Sequence, residues 1–244
     1  MKISHTPFKF VLGAFLAVLL GSGCTSSGSA VFSQRDPIAL VSFVSNADIN
    51  WKGEDPVKPG TLAVLTGRAL RQNPDNTVVT VADEVLDAAE LLFRTTMAGS
   101  VQINLAEKEM VLNSSAYRNA RLNQYPNRDM ASAGDYSFID YRDKNFSSAL
   151  AAETGIQRSM YLEFNLDKNV TKGIAKNGNL WANVEMKVRI LDAQGKTLYY
   201  KIIKSQSPDS IKVSNWVYSQ SGFIALVESA MEDVYREFLY TISK

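Results

Sequence analysis

From Leu180 to Ile190 every even position is apolar, while Asn183, Glu185, Lys187 and Arg189 hold odd positions between them. That alternation predicts a strand with one face in a core and the other in water. Asp192-Ala193-Gln194-Gly195-Lys196 then turns the chain, and Leu198, Tyr200 and Ile202 read as the inward residues of a returning strand, giving an antiparallel hairpin. A weaker alternation of Met160, Leu162, Phe164 and Leu166 predicts a strand over residues 159–166. The run IALVSFV, Ile38 to Val44, is different because it is apolar almost throughout. A strand apolar on both sides belongs inside a sheet covered by helices on both faces, so the run points to a layered α/β domain.

Three stretches carry helical spacing. Thr80 and Asp83 form a capping-box pattern ahead of Val81, Val85, Ala88, Ala89, Leu92 and Met97, which predicts a helix over 81–97. A second helix is predicted from Asp143 to Glu153, with Leu150 and Ala151 inward and Gly155 as its stop. The third runs from Gly222 to Ile242, with Phe223, Leu226, Val227, Ala230, Met231, Val234, Phe238 and Leu239 as its stripe. Met110, Val111 and Leu112 read as part of a strand, residues 113–141 as an irregular segment, and the stretch with Pro56, Pro59 and Gly60 as a loop. The expectation is one three-layer α/β domain over 37–244, with α+β as the alternative, and a mixed sheet that ends in an antiparallel hairpin and is flanked by helices.

Before this domain, Lys2, His5 and Lys9 precede an uncharged run from Phe10 to Gly23. About a dozen apolar residues cover about 20 Å as a helix, short of the roughly 30 Å of bilayer hydrocarbon, so the run reads as a cleaved secretory signal over residues 1–23. It closes on Leu19-Leu20-Gly21-Ser22-Gly23-Cys24, and Cys24 is the single cysteine. This ending resembles the lipobox of bacterial lipoproteins, with Gly21 where leucine is usual, and is similar to the looser boxes of spirochaete lipoproteins. The resemblance implies a diacylglyceryl thioether on Cys24 and an acylated amino group. Several acyl chains, each CH₂ worth about 0.8 kcal/mol when buried, make a durable membrane anchor. Residues 24–36 then read as the lipidated cysteine and a flexible tether, and the place as the cell envelope, at the inner or, slightly favoured, the outer membrane.

Cleavage before Cys24 removes the chain's one histidine, His5, and lipid occupies its one sulfur. Serine or cysteine mechanisms that use histidine as base, and zinc sites of His and Cys, then lack their side chains. Asp48-Ile49-Asn50-Trp51-Lys52-Gly53 begins like an EF-hand loop, but Lys52 stands fifth and Pro59 twelfth, where oxygen ligands belong. No metal, cofactor or catalytic residue is assigned. Loss of Lys2 and Lys9 from the 26 basic residues leaves 24 against 25 acidic ones, a net charge of −1 that argues against nucleic acid as partner.

The order strand, helix, strand, helix, strand, hairpin, helix behind a lipidated cysteine resembles a group of periplasmic α/β lipoprotein domains. The group includes the curli secretion-channel lipoprotein, the lipoprotein activators of penicillin-binding proteins and the related amino-terminal domain of TolB. The resemblance is carried by IALVSFVSN, FSSALAAETGIQRSMYLEF and VRILDAQGKTLYYKI. It implies work through protein contacts in the envelope, not catalysis.

Two surfaces are candidates. The first is the loop after the buried strand, with Asn46, Asp48, Asn50, Trp51, Glu54 and Asp55, where strand ends of open α/β sheets often carry ligands. The second is Tyr117, Arg118, Arg121, Tyr125 and Arg128, with Tyr136 and Tyr141 further on, because Tyr and Arg are enriched at interface hot spots. Trp181 and Trp216 are assigned to packing or to the open face of the sheet. Two functions stay open: a non-catalytic envelope lipoprotein that binds another protein or itself, and a carbohydrate- or cell-wall-active protein that uses carboxylates near Trp51.

Overall fold

The computed structural model describes residues 31–32, 36–51, 81–100, 103–123, 130–174, 177–214 and 217–243. Its strands are β1 (Ile38–Asn46), β2 (Asn50–Trp51), β3 (Met130–Ser132), β4 (Arg158–Ile174), β5 (Asn177–Asp192), β6 (Thr197–Gln206) and β7 (Ile211–Ser214). Its helices are α1 (Val81–Ala98), α2 (Lys108–Leu112), α3 (Ser115–Arg118), α4 (Lys144–Thr154) and α5 (Gln220–Ile242). The protein is α/β: one mixed sheet in the order β3-β1-β4-β5-β6, with β2 alongside β4 and β7 alongside β5. β1 and β2 run parallel to β4, and every other pairing is antiparallel.

β1 is buried on both faces, as its apolar run predicts. Its residues alternate between two cores, and a register shift between Leu40 and Ser42 turns Phe43 to the same side as Leu40. Leu40 and Phe43 join the cluster under α1 and α5, while Ala39 and Val41 join a second cluster under α2, α3 and α4. In the first cluster Phe43, Phe93, Phe164 and Tyr235 meet with ring centroids 4.9 to 6.3 Å apart. The buried Tyr235 hydroxyl donates to the Ala89 carbonyl at 3.0 Å, which joins α5 to α1.

The predicted helices are present with shifts of a residue or two. α4 is capped at its start by the Asp143 carboxylate, which accepts from Asn145 N and Phe146 N, and closed by Gly155 at φ 75°. In α1 the core stripe is Ala82, Val85, Leu86, Ala89, Phe93 and Met97, while Ala88 faces solvent. Thr80, the other half of its expected capping box, and the loop with Pro56, Pro59 and Gly60 lie outside the described residues.

Three expectations are corrected. Met110, Val111 and Leu112 belong to helix α2 and not to a strand. The extended pairing there is made just upstream, where Ile38 N donates to Asn104 O at 2.8 Å and Ala106 N to Ile38 O at 2.9 Å. Three adjacent apolar residues fit either period, and here only Val111 is buried while Met110 stands exposed. Next, β6 turns in the opposite phase: Tyr199 and Ile203 are buried, and Tyr200 and Ile202 face out. An irregularity after Ile190 sets Tyr199 opposite Ile190 and Ile203 opposite Met186 on the core row. Finally, the tether does not extend to Asp36. Val31 and Phe32 are buried in the main core, with Phe32 edge-to-face on Tyr199 and Phe238.

Candidate functional site

Helices α2 to α4 cover the outer face of the sheet over β1 and the start of β4. Further across, that face stays open, because the odd residues of β5 are polar. Glu163 sits opposite Lys187, Glu185 opposite Lys204, and Arg189 opposite both Tyr161 and Tyr200. The row is charge-matched for most of its length. Lys187 Nζ lies 2.9 Å from Glu163 and 3.9 Å from Glu185, and Lys204 Nζ lies 2.6 Å from Glu185.

Arg189 ends the row and breaks the pattern. Its guanidinium is held between two rings, 4.1 Å from the Tyr141 centroid and 4.4 Å from the Tyr200 centroid. Its one hydrogen bond among the described residues is Nη1 to Thr197 Oγ1 at 3.4 Å, and no carboxylate there pairs with it. A cation over aromatic faces is stabilised by the ring quadrupoles, yet the donors at its edge remain available to an anion.

A groove of about 150 Å³ opens beside it, lined by Ser42, Phe138, Tyr141, Tyr161, Lys187 and Tyr200 among others. Its origin is local. β1 brings Ser42, whose hydroxyl donates to Ser137 O at 3.1 Å, and that bond holds the 137–141 segment as the groove's wall. Tyr161, on β4, is buried, and desolvation pushes its phenol well above the ordinary value against a smaller opposing pull from the Ser147 hydroxyl beside it. Neither the Tyr161 nor the Ser147 hydroxyl completes a hydrogen bond among the described residues. The arrangement offers an aromatic clamp, a planar cation and a phenol; it offers no activated nucleophile. Among the described residues no three His, Cys, Asp or Glu side chains gather to hold a metal.

The residues singled out from the sequence are dispersed. Asn46 is structural: its amide donates to Leu166 O at 2.9 Å and its carbonyl accepts from Leu166 N at 2.7 Å, extending the β1–β4 ladder past its end. Asp48 is exposed, and Asn50 and Trp51 form β2 against Asp167 and Lys168. Glu54 and Asp55 lie outside the described residues, as do Cys24, Tyr125, Arg128 and Trp216. Trp181 is half-buried and pairs with Asn169 on the outer row.

The described members of the expected Tyr/Arg surface do not share one face. Tyr117 packs in the second core against Phe146, and its hydroxyl accepts from Ser137 N at 2.7 Å. Arg118 is exposed on α3, and Arg121 reaches Asp140 only at 3.8 Å. Tyr136 is buried on the opposite side with Arg94 and Glu90. Of the described members of the set, only Tyr141 lines the groove. Arg189 and Tyr200 carry no local signal of a site, because in sequence both are positions in alternating strands. The available signal was that the outward row carries Glu163, Glu185, Lys187 and Lys204 in balance and Arg189 in excess.

No protein-family model and no curated protein matches the chain. Among solved structures it is similar to the hypothetical protein CT253 from Chlamydia trachomatis, at 8% identity and a TM-score of 0.34, with 86% of this chain and 100% of that one covered. A likeness so distant carries no argument about function. Among the described residues no helix is long and apolar enough to cross a membrane.

Proposed function

We propose that this is a lipid-anchored protein of the cell envelope whose α/β domain binds another protein through the open face of its sheet, without catalysing a reaction. The observation that carries the reading is Arg189, a guanidinium clamped by Tyr141 and Tyr200 with no carboxylate partner among the described residues. Because the other cations of that row are paired, the missing anion is one a partner supplies. An acidic side chain or a terminal carboxylate, flanked by apolar residues, suits the planar donors and the Tyr141 and Tyr200 rings. Exposed Ile202 and Tyr200 add apolar area beside the clamp. The address rests on Cys24 after an apolar run, and the assembly role accords with the envelope domains the chain resembles.

A photo-crosslinking residue at Ile202, used in cells at native expression, tests the reading. The expected result is a discrete adduct that disappears in Arg189→Glu and persists in Arg118→Glu, with the protein equally abundant in all three. An adduct indifferent to Arg189, or none, rejects the groove as the docking site. Separately, Cys24→Ala should shift the protein to the soluble fraction and abolish labelling by radioactive palmitate.

A further inference from the structure

We infer that the domain stands on the membrane by its Phe32 end, held close by a short leash, with the Trp51 strand and the far tip of the β4–β5 hairpin directed away. This rests on the lipid anchor at Cys24 proposed above. Its own support is the way the chain docks immediately after that cysteine. Phe32 inserts edge-to-face between Tyr199 and Phe238, with centroids 5.2 and 5.8 Å away. The buried Arg158 guanidinium donates to the carbonyls of Val31 and Asp36, fastening this segment to the first residue of β4. A buried guanidinium needs such acceptors to offset its lost hydration, so the charge and the docked segment hold each other.

The dock limits the reach of the anchor. Val31 is seven residues on from Cys24, and an extended chain covers at most ~3.6 Å per residue, so the lipidated cysteine lies within about 25 Å of the dock on any path. Without it the free chain would run to Ile38, fourteen residues and about 50 Å.

The dock also sits at one pole of a long sheet. β4 starts there at Arg158, with Trp51 opposite Lys168, ten residues on, which is about 33 Å at ~3.3 Å per residue. The last residue of β4, Ile174, is sixteen residues on, or about 53 Å. α5 runs the other way, from Gly222 beside Ile211 of β7 to Phe238 on Phe32, so Ser243 and the Asp192–Lys196 turn share the docked pole. A leash of less than half the long dimension, leaving from one end, presents that end to the bilayer.

Lys196 and Tyr240 are exposed near this pole, a cation and an amphipathic ring suited to phospholipid headgroups. Of the carboxylates near it, Asp192 is committed to its turn, accepting from Gln194 N and Lys196 N, and Glu153 accepts from Ser115 N and Ala116 N, which leaves Asp36 and Glu237 facing solvent. Arg189 lies three residues from the end of β5, about 10 Å above the pole. The groove therefore opens sideways near the membrane surface, within reach of a partner that is itself anchored.

The test uses the full lipidated chain in vesicles of phosphatidylethanolamine and phosphatidylglycerol. Flotation of the wild type but not of Cys24→Ala establishes the anchor; equal behaviour of the two rejects the anchor and the orientation with it. Spin labels are then placed singly through Lys196→Cys, Ser243→Cys and Lys212→Cys, the lipidated Cys24 sulfur being unreactive, and their collisions with a nickel-chelating lipid are measured. The expected result is several-fold more collision at positions 196 and 243 than at 212. Equal or reversed accessibility in vesicles that do float overturns the orientation and leaves the anchor standing. Inserting twelve Gly/Ser residues between Ser29 and Ala30, which leaves the dock intact, should erase the difference. A difference that survives the insertion overturns the short leash as its cause.

Discussion

The guanidinium carbon of Arg189 lies 4.1 Å from the centroid of the Tyr141 ring, and this contact joins the open face of β5 to the irregular segment after β3. The same guanidinium carbon lies 4.4 Å from the Tyr200 centroid, so Arg189 contacts two aromatic rings at the end of an otherwise charge-matched row. Such contacts at partly exposed sites are worth about 0.5–1 kcal/mol each. Arg189→Ala should therefore destabilise the fold by only ~1–2 kcal/mol in urea unfolding, yet eliminate the Ile202 crosslink. Arg189→Lys keeps the charge but loses the planar face and the forked donors. Its crosslink yield should fall well below wild type; full retention would show that charge alone serves.

A second cluster is structural. Glu90 on α1 accepts from Arg94 and, at 3.3 Å, from the Tyr136 hydroxyl, with Lys108 3.5 Å away. Arg94 in turn donates to Ala106 O at 3.3 Å. Removing Arg94 leaves the largely buried Glu90 carboxylate with Lys108, 3.5 Å away, as its remaining cation, at a cost of about 1–3 kcal/mol, whereas replacing both Arg94 and Glu90 can be nearly neutral. Arg94→Met should lower the urea midpoint sharply, and adding Glu90→Gln should recover part of the loss. A double variant no better than the single would refute the coupling.

High pH should unfold the protein through its buried phenols. Tyr199 has a buried hydroxyl without a hydrogen-bond partner among the described residues, and burial raises its pKa from 10.0 to about 12. Burial likewise raises Tyr136, Tyr161 and Tyr235. A group raised in the fold gives its proton up first in the unfolded chain, so its stabilisation is whole below pH 10 and fades as pH climbs through its folded value. Stability should fall between pH 10.0 and about 12, with phenolate absorbance rising in step with loss of circular dichroism. Tyr199→Phe should unfold at a higher pH and be no less stable at neutrality, because it removes an unsatisfied buried hydroxyl.

Two glycines with positive φ should differ in their tolerance. Gly155, at φ 75°, would place a Cβ in open space, so Gly155→Ala meets only the left-handed backbone penalty of about 1–2 kcal/mol. Gly195, at φ 73°, would put its Cβ 2.9 Å from Lys144 Cγ and 3.3 Å from Lys144 Cα. Gly195→Ala should therefore cost measurably more in thermal unfolding, and equal shifts would contradict the close approach of this turn to α4.

Much of the fold was legible because its determinants are local. The nearly continuous apolar run of β1 specified burial on both faces, the alternation in β5 specified one wet face, and Asp143 with Gly155 marked both ends of α4. Locality also explains the misreadings. Met110 to Leu112 fit a strand or a helix equally well, and only the Ile103–Ala106 pairing with Ile38 leaves them to be helical. The phase of β6 depends on an irregularity after Ile190 that no residue announces, and it decides that Tyr199, not Tyr200, enters the core. The site was less legible still. Tyr141, Ser42, Tyr161, Arg189 and Tyr200 come from five separate stretches, and only the sheet order sets β1 beside β4 and β4 beside β5. By itself the sequence determined the character of β1, β4, β5 and the three longer helices, and through Cys24 the expected anchor, because periodicity and capping act within a few residues. Tertiary structure decided which cation of the outward row has no carboxylate partner among the described residues and where Phe32 docks, because both depend on which distant segments the packed core brings together.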